Sequence, residues 1–232
     1  MKAAAPAGGA PLESQADEAY RLIEERIVTL DLPPGSVVTE TRLTEMTGLG
    51  RTPVREALVR LKQDHLITVL PRQGILIRPI EAEYAIMALE LRHLVERLIV
   101  ERASALATPA ERARLRAMAD RMEAAADSRD AVGFIKLDHA FNTFLAAVAR
   151  NPLAERTIAP LHAVSRRLGY YFARGAGRGL DVTGPAHVRL IRAIAAGHTA
   201  EAVEALDHLL DLTRRIAEAV GEETGDIGEA ER

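Results

Sequence analysis

Arg51, Thr52, Pro53 and Arg55 lie within five residues of one another, and Lys62 follows on the same stretch, GRTPVREALVRLKQD (residues 50–64). Two guanidinium groups this close can bind anions, and the planar fork of arginine suits both a phosphate and the edge of a guanine. Val54, Leu58 and Leu61 recur on the stretch at helical spacing, which predicts a helix over residues 52–64. Proline is tolerated in a first turn, and Thr52 can serve as the cap. Arginine near a helix N-terminus opposes the macrodipole, which prefers negative charge there. Arg51 and Arg55 thus cost this helix stability unless an external anion meets them.

The elements around this helix follow from periodicity. Ala19, Leu22, Ile23, Ile27 and Leu30 predict a first helix over residues 13–30, ended by the turn DLPPGS. A short second helix, residues 41–47, points Leu43 and Met46 inward and stops at Gly48. With the arginine-bearing helix a few residues later, this is a helix-turn-helix. Ile67, Val69, Ile75 and Ile77 then alternate around residues 71–74, a β-hairpin of the kind that forms a wing. The region from Arg42 to Arg78 holds seven basic and three acidic residues, a local excess of positive charge within a chain whose formal net charge is −3. Phosphate neutralisation is the usual use of such a patch, and a solvated helix face is the bland alternative.

Composition sets the frame. At 232 residues and 48% hydrophobic content the chain is long enough for two domains. Aromatics are only 3%, with no tryptophan, while alanine and leucine abound, which favours helices. The absence of cysteine excludes disulfides and thiolate metal sites and suits a cytoplasmic location. No apolar run is long enough to span a membrane, so no membrane partner is expected. The expected organisation is a disordered leader (1–11), a winged helix-turn-helix domain (12–80), a helical domain (81–221) and a disordered acidic tail (222–232). The helical domain reads as six helices, over residues 81–107, 108–126, 130–149, 152–173, 185–196 and 200–221. The glycine-rich connection of residues 173–184 is expected to be mobile. The fold class is mainly α, an N-terminal winged helix followed by a helical bundle.

The stretch PGSVVTETRLTEMTGLGRTPVREALVRLKQDHLITVLPRQGILIRPI resembles the winged helix of GntR-type bacterial transcription regulators almost position by position. The resemblance implies that Arg42, Arg51, Thr52, Pro53, Arg55, Arg72 and Gly74 form the DNA-binding surface. Arg51 and Arg55 would be base-edge or phosphate contacts, Thr52 a phosphate contact, and Gly74 the wing tip approaching the minor groove. Which arginine reads a base stays open. The family usually has serine where this chain has Gly50, so Thr52 is expected to take over the cap.

LRHLVE, KLDHAFNTFLAAVARNP and AHVRLIRAIAAG resemble the FCD effector-binding domain of the FadR-like branch of these regulators, and six helices place the chain nearest the VanR-like subgroup. Many such domains hold a divalent metal on one aspartate and three histidines. Asp138 matches the aspartate and His187 one histidine, but the position four after the aspartate is Asn142. His208 falls one residue short of the last ligand, about 100° around the helix. Zinc, manganese, nickel or magnesium would thus be held weakly, unless His162 or His208 is recruited. The burden of holding a carboxylate effector then falls on Arg92, Arg166 or Arg167 with His187, or else these arginines pair with carboxylates inside the bundle.

The function implied is a ligand-responsive transcription regulator that binds a palindromic operator in double-stranded DNA as a homodimer. Its affinity would be modulated by a small organic acid in the helical domain. The weighed alternative is a metal-dependent enzyme on the bundle with the winged helix as accessory. No Ser/His/Asp arrangement, phosphate-binding loop or glutamate-bearing metal motif supports that alternative, so no catalytic residues are assigned.

Overall fold

Ser14 and Asp17 start the first helix by bonding each other's backbone N–H, a capping box at the head of α1 (Gln15–Val28). The computed structural model describes residues 14–176 and 179–230, so the leader expected over residues 1–11 lies outside the described residues. Ala19, Ile23 and Ile27 form the buried stripe of α1. They pack with Leu43 of α2 (Glu40–Thr47) and with Val54, Leu58 and Leu61 of α3 (Arg51–Gln63). Thr39 caps α2 by accepting from the Arg42 N–H, and Gly48 ends it in the left-handed region at φ 69°. The start of α3 differs from the expectation. Gly50 is its N-cap and offers no side chain, so Thr52 sits inside the first turn and does not cap.

The hairpin forms as read, β2 (Ile67–Leu70) against β3 (Gly74–Ile77), antiparallel with Val69 opposite Ile75. A further strand, β1 (Val37–Val38), pairs with the free side of β3 and gives the order β1-β3-β2. Two residues are too few to show an alternation, which is why the periodicity does not reveal it. Gly74 has φ 127°, and a Cβ there would come within 2.8 Å of the Val38 carbonyl oxygen. Conformation and space both require glycine at this corner of the wing.

Six helices make up the rest of the described chain: α4 (Ala82–Leu106), α5 (Pro109–Asp127), α6 (Ala131–Val148), α7 (Pro152–Ala176), α8 (Gly179–Ala196) and α9 (Thr199–Ala230). Thr108 and Glu111 form a second capping box, with Pro109 opening α5. The bundle core gathers Val100, Leu115, Met122, Phe134, Phe141, Ile158, Ile191, Ile194 and Leu206.

Two boundaries depart from the reading. The glycine-rich connection is helical in its described residues, because α7 runs on to Ala176 and α8 begins at Gly179 and carries Pro185 inside it. Gly184 serves packing, since a Cβ there would lie 2.7 Å from the Ala126 Cβ of α5. Likewise Gly221 does not end α9, which runs on to Ala230 through the stretch expected as a disordered tail. A Cβ there would lie 2.8 Å from that of Ala82, so this glycine lets α9 approach the start of α4.

Two features prepare the functional sites. Ala163 of α7 is fully buried within the core of the winged helix, so this helix belongs to both domains. On α4 the side chains of Met87, Leu91, Leu94 and Leu98 are exposed along one stripe, while Val95 turns inward. Leu94 therefore shares its face with Leu91 and Leu98, and Val95 does not.

Candidate DNA-contacting surface and effector cavity

Buried Val54, Ala57, Leu58 and Leu61 fix the inner face of α3, which leaves Arg51, Thr52 and Arg55 exposed on its first turns and Pro53 half-buried. Arg55 is held. Its Nε donates to both oxygens of Glu40 at 2.9 Å, which leaves its two Nη groups to point elsewhere, and this bond raises the guanidinium pKa. Arg42 is exposed on α2, 3.9 Å from Glu45. Arg72 is exposed in the wing turn beside Gly74, with φ 63°. Two other cations of the basic segment serve as struts. Arg60 bonds Asp17 at 2.6 Å and lies over the Tyr20 ring, and Arg78 bonds Glu81 at 3.1 Å.

Inside the bundle, α4, α6, α7 and α8 bring Arg92, Asp138, Asn142, His162, Ser165, Arg166 and His187 around one cavity of about 60 Å³. Asn142 Nδ2 donates to Asp138 Oδ1 at 3.0 Å, and His187 Nε2 lies 3.4 Å from the same oxygen. The Nδ1 of His187 donates to the Thr183 carbonyl at 2.8 Å, and its ring meets Phe134 edge-on. Burial pushes the Asp138 carboxyl up, but the His187 bond and the charges of Arg166 and His162 outweigh it and hold the group well below the usual carboxylate range.

Glu96, which the sequence reading gave no role at the site, organises one wall. It is buried, takes a forked bond from Arg92 (2.9 and 3.2 Å), and also accepts from His162 Nε2. Burial raises this carboxyl, yet Arg92 and His162 together bring it down to about 2. His162 is shifted down by its own burial, against the pull of Glu96. The i, i+4 spacing of Arg92 and Glu96 was the available signal.

Arg166 and Arg167, neighbours in sequence, go to different places. Arg166 lines the cavity but donates to Glu24 of α1, a buried ion pair between the bundle and the winged helix. Arg167 does not reach the cavity. It donates to the Arg78 carbonyl at the domain junction, and burial together with Arg78 lowers its guanidinium to about 10. Glu24 was also missed, since it sits beside the apolar stripe of α1 and only its partner's position reveals its use. A larger open groove, about 890 Å³, runs between α5 and α8, but its charges pair with acidic neighbours, Arg192 with Asp120 and Glu123 and Arg129 with Asp181.

A metal centre of one aspartate and three histidines does not fit these residues. Asp138 and His187 face each other, but Asn142 gives its amide hydrogen to Asp138 and His162 is engaged with Glu96. His208 is exposed on α9. Among the described residues no three His, Asp or Glu side chains converge as a metal site.

Residues 15–77 match the bacterial regulatory proteins of the gntR family, and residues 87–212 match the FCD domain. A stretch of 134 residues is 31% identical to an HTH-type transcriptional regulator of the TAR-I ttuE-ttuC' intergenic region of Agrobacterium vitis, covering 56% of this chain and 78% of that one. The HTH-type transcriptional repressor RspR of Escherichia coli K12 is 26% identical over 160 residues, 69% of this chain and 70% of the repressor. Among solved structures, E. coli McbR/YncC superposes with a TM-score of 0.79 at 20% identity, over 90% of this chain and 99% of that one. A GntR regulator from Rhodococcus sp. RHA1 gives 0.68 at 21% identity, over 88% and 98%. At these identities the two superpositions speak for the fold alone.

Proposed function

On the premise that the chain belongs to the gntR family of regulatory proteins and carries an FCD domain, and so is a DNA-binding transcription regulator, we propose that it binds a palindromic operator as a homodimer and responds to a short organic acid held in the bundle. The exposed arginines of α3 supply phosphate and base contacts, with an arginine able to give guanine O6 and N7 two hydrogen bonds at once. The unpartnered stripe on α4 supports the dimer, because an isologous contact through one helix face gives the two-fold axis that a palindrome requires. The observation that carries the effector reading is the gathering of Arg92, Arg166, His162 and His187 around one buried cavity. Guanidinium and imidazole groups that converge in a low-dielectric space suit a carboxylate. The small volume limits an occupant to a few heavy atoms unless side chains move.

A thermal-shift screen of two- to four-carbon carboxylic acids tests the effector reading, since a ligand of the native state raises its apparent stability. The binding acid should lose affinity in His187→Ala, with and without chelator. An acid whose binding is abolished by chelator alone would instead assign the site to a metal, and a screen in which no acid shifts the melt would overturn the effector class.

A further inference from the structure

Each cation facing the cavity already has an anionic partner. Arg92 is forked on Glu96, which His162 clamps from the other side, and His187 faces Asp138. Arg166 reaches past the cavity wall to Glu24. A carboxylate entering the cavity therefore competes for a guanidinium that already serves a resident carboxylate. Glu96 is gripped by two groups of the bundle itself, and its Arg92 partner lies one turn away on the same helix. Glu24 differs, because it belongs to the winged helix and is held in this pair by a single arginine.

We propose that the acid takes Arg166 from Glu24, so that this one ion pair couples occupancy of the bundle to the posture of the DNA-binding domain. The proposal rests on the reading of the cavity as an organic-acid site. Its consequence follows from electrostatics. Glu24 is only 6% exposed, and the Asp64 carboxylate stands in the same neighbourhood. A buried charge stripped of its partner is strongly destabilising, so α1 must move away from α7 until Glu24 reaches water. The apolar stripe of α1 is packed on α3, so α3 travels with α1. Lys136 to Glu25, at 2.8 Å, is an exposed pair between the same two domains and offers little resistance, so the contact that the movement must part is the packing of Ala163 against the winged-helix core. In a dimer that reads two half-sites, such a movement changes the separation of the two α3 helices and hence operator affinity.

The experiment compares wild type with Glu24→Gln, which keeps the side chain's shape and removes its charge. Acetate, glycolate and malonate serve as probes in calorimetry, and backbone hydrogen exchange reports on each helix. Without Glu24 as competitor, the probe that binds wild type should bind Glu24→Gln about tenfold more tightly, in the range usual for coupling between sites. Exchange over α1 should rise when the probe saturates wild type and stay at its ligand-free level in probe-saturated Glu24→Gln, which has no buried carboxylate to expel, with α5 and α8 unchanged in both. Glu24→Asp, which keeps the charge but shortens the reach, should fall between the two and covers the case in which the glutamine variant does not fold. Equal probe affinity in all three proteins, with α1 exchange unmoved, would overturn the coupling while leaving the acid site standing. If no probe binds any of them, the acid-site reading fails and takes the coupling with it.

Discussion

Leu94→Glu tests the proposed dimer on the exposed stripe of α4. In one protomer Met87, Leu91, Leu94 and Leu98 are 49%, 55%, 70% and 42% exposed, so about half of each side chain is left for a partner to cover. Complete burial of a large aliphatic side chain contributes about 1.5–3 kcal/mol, so these four yield about 1 kcal/mol each and roughly 8 kcal/mol over two protomers. That sum is of the size needed to offset the loss of translational and rotational freedom on association, so the contact has little to spare. Leu94 is the most exposed of the four. Removing it twice, once per protomer, costs about 2–4 kcal/mol, and two carboxylates facing each other across the axis add to this. Dimer association should thus weaken by about 100-fold or more. Sedimentation velocity across submicromolar to high micromolar concentration should show wild-type dimer and variant monomer, with helix content by circular dichroism unchanged, since the Leu94 side chain is mostly exposed in its own protomer. A variant that sediments as wild type would refute the assignment of this face.

Two further outcomes follow from named groups. Arg55→Ala should cost about 1–3 kcal/mol in operator affinity if its free Nη groups read a base, and should relax preference at that base pair. The affinity of either protein should fall with salt at a log–log slope of about −0.9 per phosphate neutralised, and an unchanged affinity in the variant would remove this side chain from the interface. Glu96 predicts an acid limb of stability. Its carboxyl is at about 2 in the folded chain against an ordinary 4.5. A carboxyl lowered on folding contributes stability fully present above 4.5 and lost as pH falls toward 2. Chemical denaturation at about pH 6 and about pH 3 should show Glu96→Gln losing on the order of 2 kcal/mol less than wild type over that interval. Equal losses would mean that Arg92 and His162 do not hold this carboxylate ionised.

The winged helix was legible in the sequence because its signals are local: a stripe at helical spacing, Gly48 where a helix must stop, and alternation on either side of the wing turn. Only the two-residue β1 and the cap position escaped. In the bundle the failures have a common cause. Gly179, Gly184 and Gly221 read as breaks, because glycine usually marks a turn, whereas here the missing Cβ lets helices approach one another. No local pattern distinguishes the two uses, since the neighbour that demands the glycine is far away in sequence. The site residues divide in the same way. Asp138, Asn142, His162, Arg166 and His187 were named and do line one cavity, whereas Arg167 was grouped with Arg166 by adjacency. One residue turns a helix by about 100°, which sends the two guanidinium groups to different neighbours.

That rotation explains how a single helix can serve two domains. From His162 to Leu168 every residue but the half-buried Val164 is buried, although a surface helix of a bundle would expose about two or three of any seven consecutive residues. This stretch of α7 is enclosed because the bundle covers one side and the winged helix the other. Such a helix could have been apolar throughout, and replacing buried ion pairs with well-packed apolar side chains is often neutral or stabilising. The charges at Arg166 and Glu24 are thus a poor solution for rigidity alone. They suit a contact that must be strong while paired and costly once split, because a partner of like charge can then compete for the arginine and move the domain that loses it. An apolar boundary would offer a carboxylate nothing to exchange.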